Sequence, residues 1–282
     1  MTLRCKVVFK YWRPMMKKFA IMNKLDDTSI HASDKIKYAI MSAGFIEDEQ
    51  NPELVIIVGG DGTMLRGIRM YRDKLDQVKF VGLHTGTLGF YTDYQLSQID
   101  DLIDAIIMDM YDEVSFELLE AKVKADGQET CFYAVNEARV ENNTRTQVLE
   151  VYINDELFEI FRGTGLNFST ATGSTGYNKS IGGPVVHPKL KAYIMSEVAG
   201  INNREFTTLQ SSLVLTSRHV TKVTSDDYEG MILGFDSKSI ELDKTFNKVE
   251  CLEFYLSSKK VTFVRYKAFP FVRRVQKNFI SK

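Results

Sequence analysis

Leu54-Val55-Ile56-Ile57-Val58-Gly59-Gly60-Asp61-Gly62-Thr63 is the stretch that decides the fold. Five consecutive apolar residues, four of them β-branched, suit a strand buried on both faces. Gly59-Gly60 ends the run and lets the backbone turn tightly beside a ligand. Leu65, Ile68, Tyr71 or Arg72, and Leu75 then recur at helical spacing. A strand, a glycine turn and an amphipathic helix form one unit of a parallel α/β sheet. The start of such a helix offers unpaired amide N–H groups to an anion. Asp61 adds a carboxylate there, suited to taking a proton from a hydroxyl or holding a metal. On local spacing alone, Asp61 or Thr63 can equally serve as a helix cap. The stretch has neither the GxxxxGK[ST] nor the GxGxxG spacing of other phosphate loops.

The alternation continues on both sides. Residues 19–22 read as a strand, and Ser33-Asp34 as the cap of a helix burying Ile36, Ile40 and Met41 and stopped at Gly44. Residues 78–83 read as the next strand, with Ile99, Leu102, Ile103, Ile106 and Met110 marking a further helix. Near Val114 the pattern changes to hairpins. Residues 116–124 and 130–136 flank the turn Asp126-Gly127, and residues 148–153 and 157–161 flank Asn154-Asp155. Strands are expected again over 212–215, 231–235, 249–256 and 260–266. The expected division is an N-terminal extension over 1–15, an α/β domain over 16–113 and a β-rich domain over 114–266. In the tail, 267–282, Phe271, Val272, Val275, Phe279 and Ile280 give a helical apolar face expected to return to the first domain.

Composition narrows the function. With 44% hydrophobic and 26% charged residues, the 282-residue chain is neither disordered nor fibrous. Lys+Arg 36 against Asp+Glu 37 leaves −1, so neither a nucleic acid nor an anionic membrane is expected as the main partner. No apolar run approaches the ~18 residues of a membrane span, and residues 1–15 lack the apolar core of a secretory signal. Cys5, Cys131 and Cys251 are too scattered for a disulfide framework or a metal knuckle. His31, His84, His187 and His219 show no HExxH spacing. A cytoplasmic protein without a structural metal is expected.

Three further blocks carry polar chemistry. His84-Thr85-Gly86-Thr87-Leu88-Gly89-Phe90 follows a strand, and glycine-rich turns at that end of a parallel sheet take ligands. Such turns also arise for conformational reasons alone. Asn136-Glu137 sets an amide beside a carboxylate, suited to a base edge and a sugar hydroxyl or simply to solvent. The last block runs from Arg162-Gly163-Thr164-Gly165 through Ser169-Thr170-Ala171-Thr172-Gly173-Ser174-Thr175-Gly176-Tyr177-Asn178-Lys179-Ser180 to Pro184. So many hydroxyls and glycines suit a polar ligand better than an apolar core. Ser169 lies outside any GxSxG elbow, so hydrolase chemistry finds no support.

In order, GGDGT, TGTLGF, NE and RGTGLNFSTATGSTGYNKSIGGPVVHP resemble the NAD kinase family in its compact bacterial form. The resemblance spans residues 17–282 and includes the terminal FPFVRRVQKNFI. GGDGT alone is shared with lipid kinases and related to the phosphofructokinase loop; the Thr/Ser/Gly block with its Asn-Glu pair is more specific. The resemblance implies an α/β N-terminal domain with a Rossmann-like half, a β-rich C-terminal domain and a returning tail. It also implies transfer of the γ-phosphoryl of ATP to the 2′-hydroxyl of the adenosine ribose of NAD, with a divalent ion, foremost Mg2+.

By the same resemblance Asp61 would accept the hydroxyl proton, with Gly59, Gly60 and Gly62 beside it. Asn136 and Glu137 would meet the adenosine end. Arg162, Thr164, Thr172, Thr175, Gly176, Tyr177, Asn178, Lys179, Ser180 and Ala199 would line the rest, and Phe90 would close over the ligand. No metal site built from protein side chains is expected. Small nucleotides are the implied partners, and family members are commonly homotetramers or homodimers. Two positions depart from the family pattern: Thr164 stands where an Asp is usual, and Gly176 where an Ala is usual. A lipid kinase has no use for the Asn-Glu pair and the STATGSTGY run. A non-catalytic NAD(P)-binding sensor has no use for Asp61, though Thr164 keeps that alternative open.

Overall fold

The computed structural model describes residues 16–86, 89–266 and 271–280, so the expected extension over 1–15 lies outside it. The first part runs Lys18–Asn23 (β1), Asp27–Ser42 (α1), Ile46–Glu47 (β2), Leu54–Val58 (β3), Asp61–Met70 (α2), Lys79–His84 (β4), Tyr94–Gln95 (β5) and Ile99–Met108 (α3). Two hairpins follow: Asp112–Ala125 (β6) with Gln128–Ala134 (β7), and, after Glu137–Glu141 (β8), Gln147–Ile153 (β9) with Glu156–Gly163 (β10). Then come Gly165–Thr170 (β11), Tyr177–Ser180 (α4), Ala192–Val198 (β12), Leu213–Thr216 (β13), Thr221–Thr224 (β14), Ile232–Phe235 (β15) and Lys238–Glu241 (β16). Leu242–Thr245 (α5), Val249–Arg265 (β17) and Phe271–Phe279 (α6) complete the described chain.

Two sheets result. One has eleven strands with the main order β10-β9-β14-β17-β4-β3-β1-β2; the other is antiparallel, β13-β12-β11-β8-β15-β16. β1, β2, β3 and β4 pair in parallel, as the buried apolar run of β3 predicts. Helices α1 and α3 bury Ile36, Ile40, Leu102 and Ile106 on one face of that half, and α2 buries Met64 and Ile68 on the other. β17 joins the two parts. Its late residues Thr262 and Phe263 pair in parallel with β4, while its early residues pair antiparallel with β14. Between the two sheets, Phe168 and Phe254 stack with ring centroids 3.9 Å apart, both fully buried.

Several sequence expectations shift. Helix α1 starts at Asp27, not after Ser33: Asp26 caps it by accepting the Ser29 N–H at 2.9 Å. Ser33 lies inside the helix, its hydroxyl bonded to the Ser29 carbonyl, and Met41 is exposed. The polar residues of the first turn hid that start. Met110 falls beyond α3, which ends at Asp109 in left-handed conformation. The strands expected over 249–256 and 260–266 are one strand, β17, with a register shift between Leu256 and Lys260. Part of the hydroxyl-rich block does build core: every residue of β11 is buried, with Leu166 and Phe168 in the apolar cluster.

Because Phe254 packs both sheets, Phe254→Ala is expected to cost about 3–5 kcal/mol, read by urea unfolding. A loss below about 1 kcal/mol would mean that the inter-sheet layer is not tightly packed.

Candidate functional site

Strands β3 and β4 end side by side, and the loops that leave them meet. Gly60 is the N-cap of α2 and no side chain among the described residues caps the helix, so the Asp61 carboxylate is not spent on capping. It accepts the Phe90 N–H at 2.8 Å and the Tyr91 N–H at 3.1 Å, one on each oxygen. Gly89 permits this contact: a Cβ there would lie 2.2 Å from Asp61 Oδ1. Thr87 and Leu88 of the same turn lie outside the described residues. At the end of β4, His84 Nδ1 accepts the Gly86 N–H at 2.9 Å, which leaves the proton of the neutral ring on Nε2. Burial pushes His84 below its ordinary value, against the pull of Asp61, so the ring is neutral at pH 7. Nε2 faces Gly60.

Tyr91 carries the site across to the second sheet. Its buried ring lies nearly parallel to Phe263 at 5.7 Å, and its hydroxyl donates to Asn136 Oδ1. The backbone of that segment is held by Asp236, which accepts the Val135 and Asn136 N–H groups at 2.9 and 2.7 Å. Asp236 sits in the turn between β15 and β16 with φ +49, a conformation Asp tolerates. The Thr172 hydroxyl pairs with that of Thr170 at 2.8 Å. Glu137 is 7% exposed, and its Oε2 has no hydrogen-bond partner among the described residues. Burial first, then the nearby Asp236, push its carboxyl up to about 7, against Arg139 and the Tyr177 N–H. A Cβ on Gly176 would lie 3.4 Å from Glu137 Oε2 and 3.7 Å from Asn136 Nδ2. The glycine therefore leaves open the space beside both polar groups.

The other expected residues divide. Thr175 turns its hydroxyl to the Thr172 carbonyl, and the Tyr177 ring lies 4.7 Å from the Arg139 guanidinium. Lys179 and Ser180 are exposed. Asn178 faces inward: its amide donates to the Pro184 carbonyl and its oxygen accepts the Ser196 hydroxyl, so it staples this loop. Arg162, Thr164 and Ala199 do not gather with Asp61. Thr164 and Ala199 line a separate hollow of about 320 Å3 with residues 142–146, Gly163 and Ile201. Arg162 stacks its guanidinium 3.9 Å from the Phe206 ring.

The tail reaches the site by a contact that hydropathy does not foretell. Val272 and Ile280 of the expected apolar face are 71% and 74% exposed, whereas Arg274 is 3% exposed. Arg274 donates to the Phe90 carbonyl and to the Asp93 carboxylate, which Arg265 of β17 also meets. Burial lowers Arg274 to about 10, opposed by Asp93, so it remains cationic at neutral pH. Phe271 and Phe279 pack on the Phe90 ring at 6.4 and 5.5 Å. Tyr91, Asp236, Asp93 and Arg274 were not among the residues expected from sequence. Only Tyr91, next to Phe90, had a local signal.

A glycine turn between a parallel strand and a helix, linked through Tyr91 to polar residues of a second sheet, has a form in which α/β proteins take nucleotides, and comparison with known proteins narrows the class. Residues 10–111 match the ATP-NAD kinase N-terminal domain, and residues 135–266 the ATP-NAD kinase C-terminal domain. NAD kinase 1 of Bacillus cereus is 40% identical over 268 residues, 94% of this chain and 99% of that protein. The NAD kinase of Geobacillus stearothermophilus is 40% identical over 265 residues, 93% of this chain and 96% of that protein. The fold is similar to that of yeast NADH kinase complexed with NADH, with a TM-score of 0.80 at 17% identity, covering 96% of this chain and 90% of that one. It is also similar to an Archaeoglobus fulgidus NAD kinase in complex with ATP, with a TM-score of 0.69 at 21% identity, covering 93% and 97%. The chain belongs to the NAD kinase family.

Glu137 gives the site a pH signature. Its folded-state value, about 7, lies above the ordinary 4.5, so the native state keeps a proton that the unfolded chain releases between those values. Stability from this group is complete below about pH 4.5 and is lost as pH rises toward 7. Glu137→Gln is expected to flatten the fall in melting temperature between pH 5 and 8, a window worth roughly 3 kcal/mol in the parent. Parallel melting curves for parent and variant across that range would show that Glu137 titrates normally.

Proposed function

We propose that the protein transfers the terminal phosphoryl of ATP to the 2′-hydroxyl of the adenosine ribose of NAD, with Asp61 as the proton acceptor. One observation carries this reading: a carboxylate free of capping duty is aimed by two backbone amides at the mouth of the phosphate loop. Phosphoryl transfer asks mainly for alignment and charge compensation. The N–H groups at Gly60, Asp61 and Gly62 have no acceptor among the described residues and suit phosphate oxygens. An ionised carboxylate offers about four lone-pair positions. Two are taken by Phe90 and Tyr91, and the others are available to a ribose hydroxyl.

Asn136 and Glu137, joined to this loop through Tyr91, supply the polar edge for the adenosine end. The cleft then lies where the unit of residues 16–113 meets that of 114–266. No group of three or more His, Cys, Asp or Glu is placed to hold a metal ion among the described residues. A divalent ion such as Mg2+ fits this loop as one held mainly by the triphosphate, with Asp61 the carboxylate at hand. When bound, it would neutralise phosphate charge. Thr164 and Ala199, in their separate hollow, contribute to recognition away from the transferred group.

Asp61→Asn keeps the shape and removes the basic oxygen. Turnover, followed as NADP formed from NAD, ATP and Mg2+, is expected to fall ~10²–10⁴-fold, with NAD binding changed only a few-fold. An Asn variant that works within a few-fold of the parent would place the proton acceptor elsewhere.

A further inference from the structure

We propose that Arg274, in the C-terminal helix, is a positioning residue for phosphoryl transfer that acts on Asp61 through a single peptide group. The Phe90 carbonyl and the Tyr91 N–H belong to one peptide plane. Its oxygen accepts the Arg274 guanidinium, and its N–H donates to Asp61 Oδ1 at 3.1 Å. A cation at the oxygen end and a carboxylate at the N–H end both act along the peptide dipole in the same sense. Hydrogen bonds linked in this way polarise one another. The preceding N–H, that of Phe90, holds the other Asp61 oxygen at 2.8 Å. The tail thus fixes the loop on the side opposite the carboxylate.

Arginine suits the task because its planar fork reaches two acceptors at once. One is the Phe90 carbonyl; the other is Asp93, itself pinned by Arg265 at the end of β17. The buried Arg274 is therefore held in place before any substrate arrives. The rings of Phe271 and Phe279 on Phe90 keep the same loop residue from turning away. Across the helix, Lys179 Nζ lies 4.5 Å from the Phe279 ring, and His187 lies edge-on to Phe271. Helix α6 accordingly bridges the Asp61-holding loop and the segment after β11.

This proposal rests on the reading of Asp61 as proton acceptor, and a double-variant cycle separates the two. Arg274→Met and Arg274→Lys are made in the parent and in the Asp61→Asn protein, with kcat, both KM values and melting temperature measured for each. In the parent background, Arg274→Met is expected to lower kcat about 10- to 100-fold and to leave KM for NAD and ATP within about threefold. Arg274→Lys, which keeps the charge but not the fork, falls between. In the Asp61→Asn background the same changes should lower kcat less than about twofold, because residues acting as a unit are not additive. A lowered melting temperature with kcat per folded molecule unchanged would overturn the proposal, as would equal losses in both backgrounds. Should Arg274→Met not fold, the Arg274→Lys arm decides by the same criteria. Full turnover by Asp61→Asn alone would remove the Asp61 reading and this proposal together. Loss by Asp61→Asn with none by the Arg274 variants would remove this proposal alone.

Discussion

The Asp61 carboxylate accepts two consecutive backbone N–H groups, and the two residues that supply them are held in turn by Arg274 and Asn136. Bonds to a charged acceptor contribute ~1.5–3 kcal/mol each, enough to hold one rotamer against solvent. The condition is that the donors themselves stay still. Tyr91 meets that condition twice, through its N–H on Asp61 and its hydroxyl on Asn136. One residue therefore links the β3–α2 turn of the parallel sheet to the polar edge of the antiparallel one. Gly89 is the accompanying constraint, since any side chain there would occupy the space of the carboxylate.

The sheet arrangement makes such a link possible. β17 is hydrogen-bonded to β4 at one end and to β14 at the other, so the two parts share one long sheet. Phe263 of β17 packs against Phe80, Tyr91 and Phe116, beneath the residue that joins the two parts. β11 enters the site from the second sheet. Its apolar residues fill the core, while the Thr170 hydroxyl bonds the Val135 carbonyl beside Asn136. The block of hydroxyls thus has two duties: Ser169, Thr170 and Thr172 bond the Val135 and Asn136 carbonyls, and the buried Ser174 and Asn178 hold the following loop together.

The legible parts of the sequence were those whose meaning is local. The β3 strand and the turn into α2 follow from an apolar run stopped by two glycines, and Asp61 stands out because of that frame. The hairpins around Asp126-Gly127 and Asn154-Asp155 are equally local. Asp236, Asp93 and Arg274 carried no such signal. Asp236 holds Asn136 across 100 positions, and Arg274 holds Phe90 across 184. Hydropathy places an arginine of an amphipathic helix in solvent; here the Phe90 carbonyl and the buried Asp93 carboxylate reverse that placement. The start of α1 is hidden for a related reason, since its first turn is polar and its cap, Asp26, precedes any apolar period.

The most direct measurement is a crystal structure of the protein with NAD bound. The 2′-hydroxyl of the adenosine ribose is expected within hydrogen-bond reach of Asp61, about 2.6–3.2 Å, with the adenosine edge at Asn136 and Glu137. A dinucleotide whose adenosine ribose lies beyond that reach, with Asp61 facing only its two backbone amides, would contradict the assignment of Asp61 as the proton acceptor.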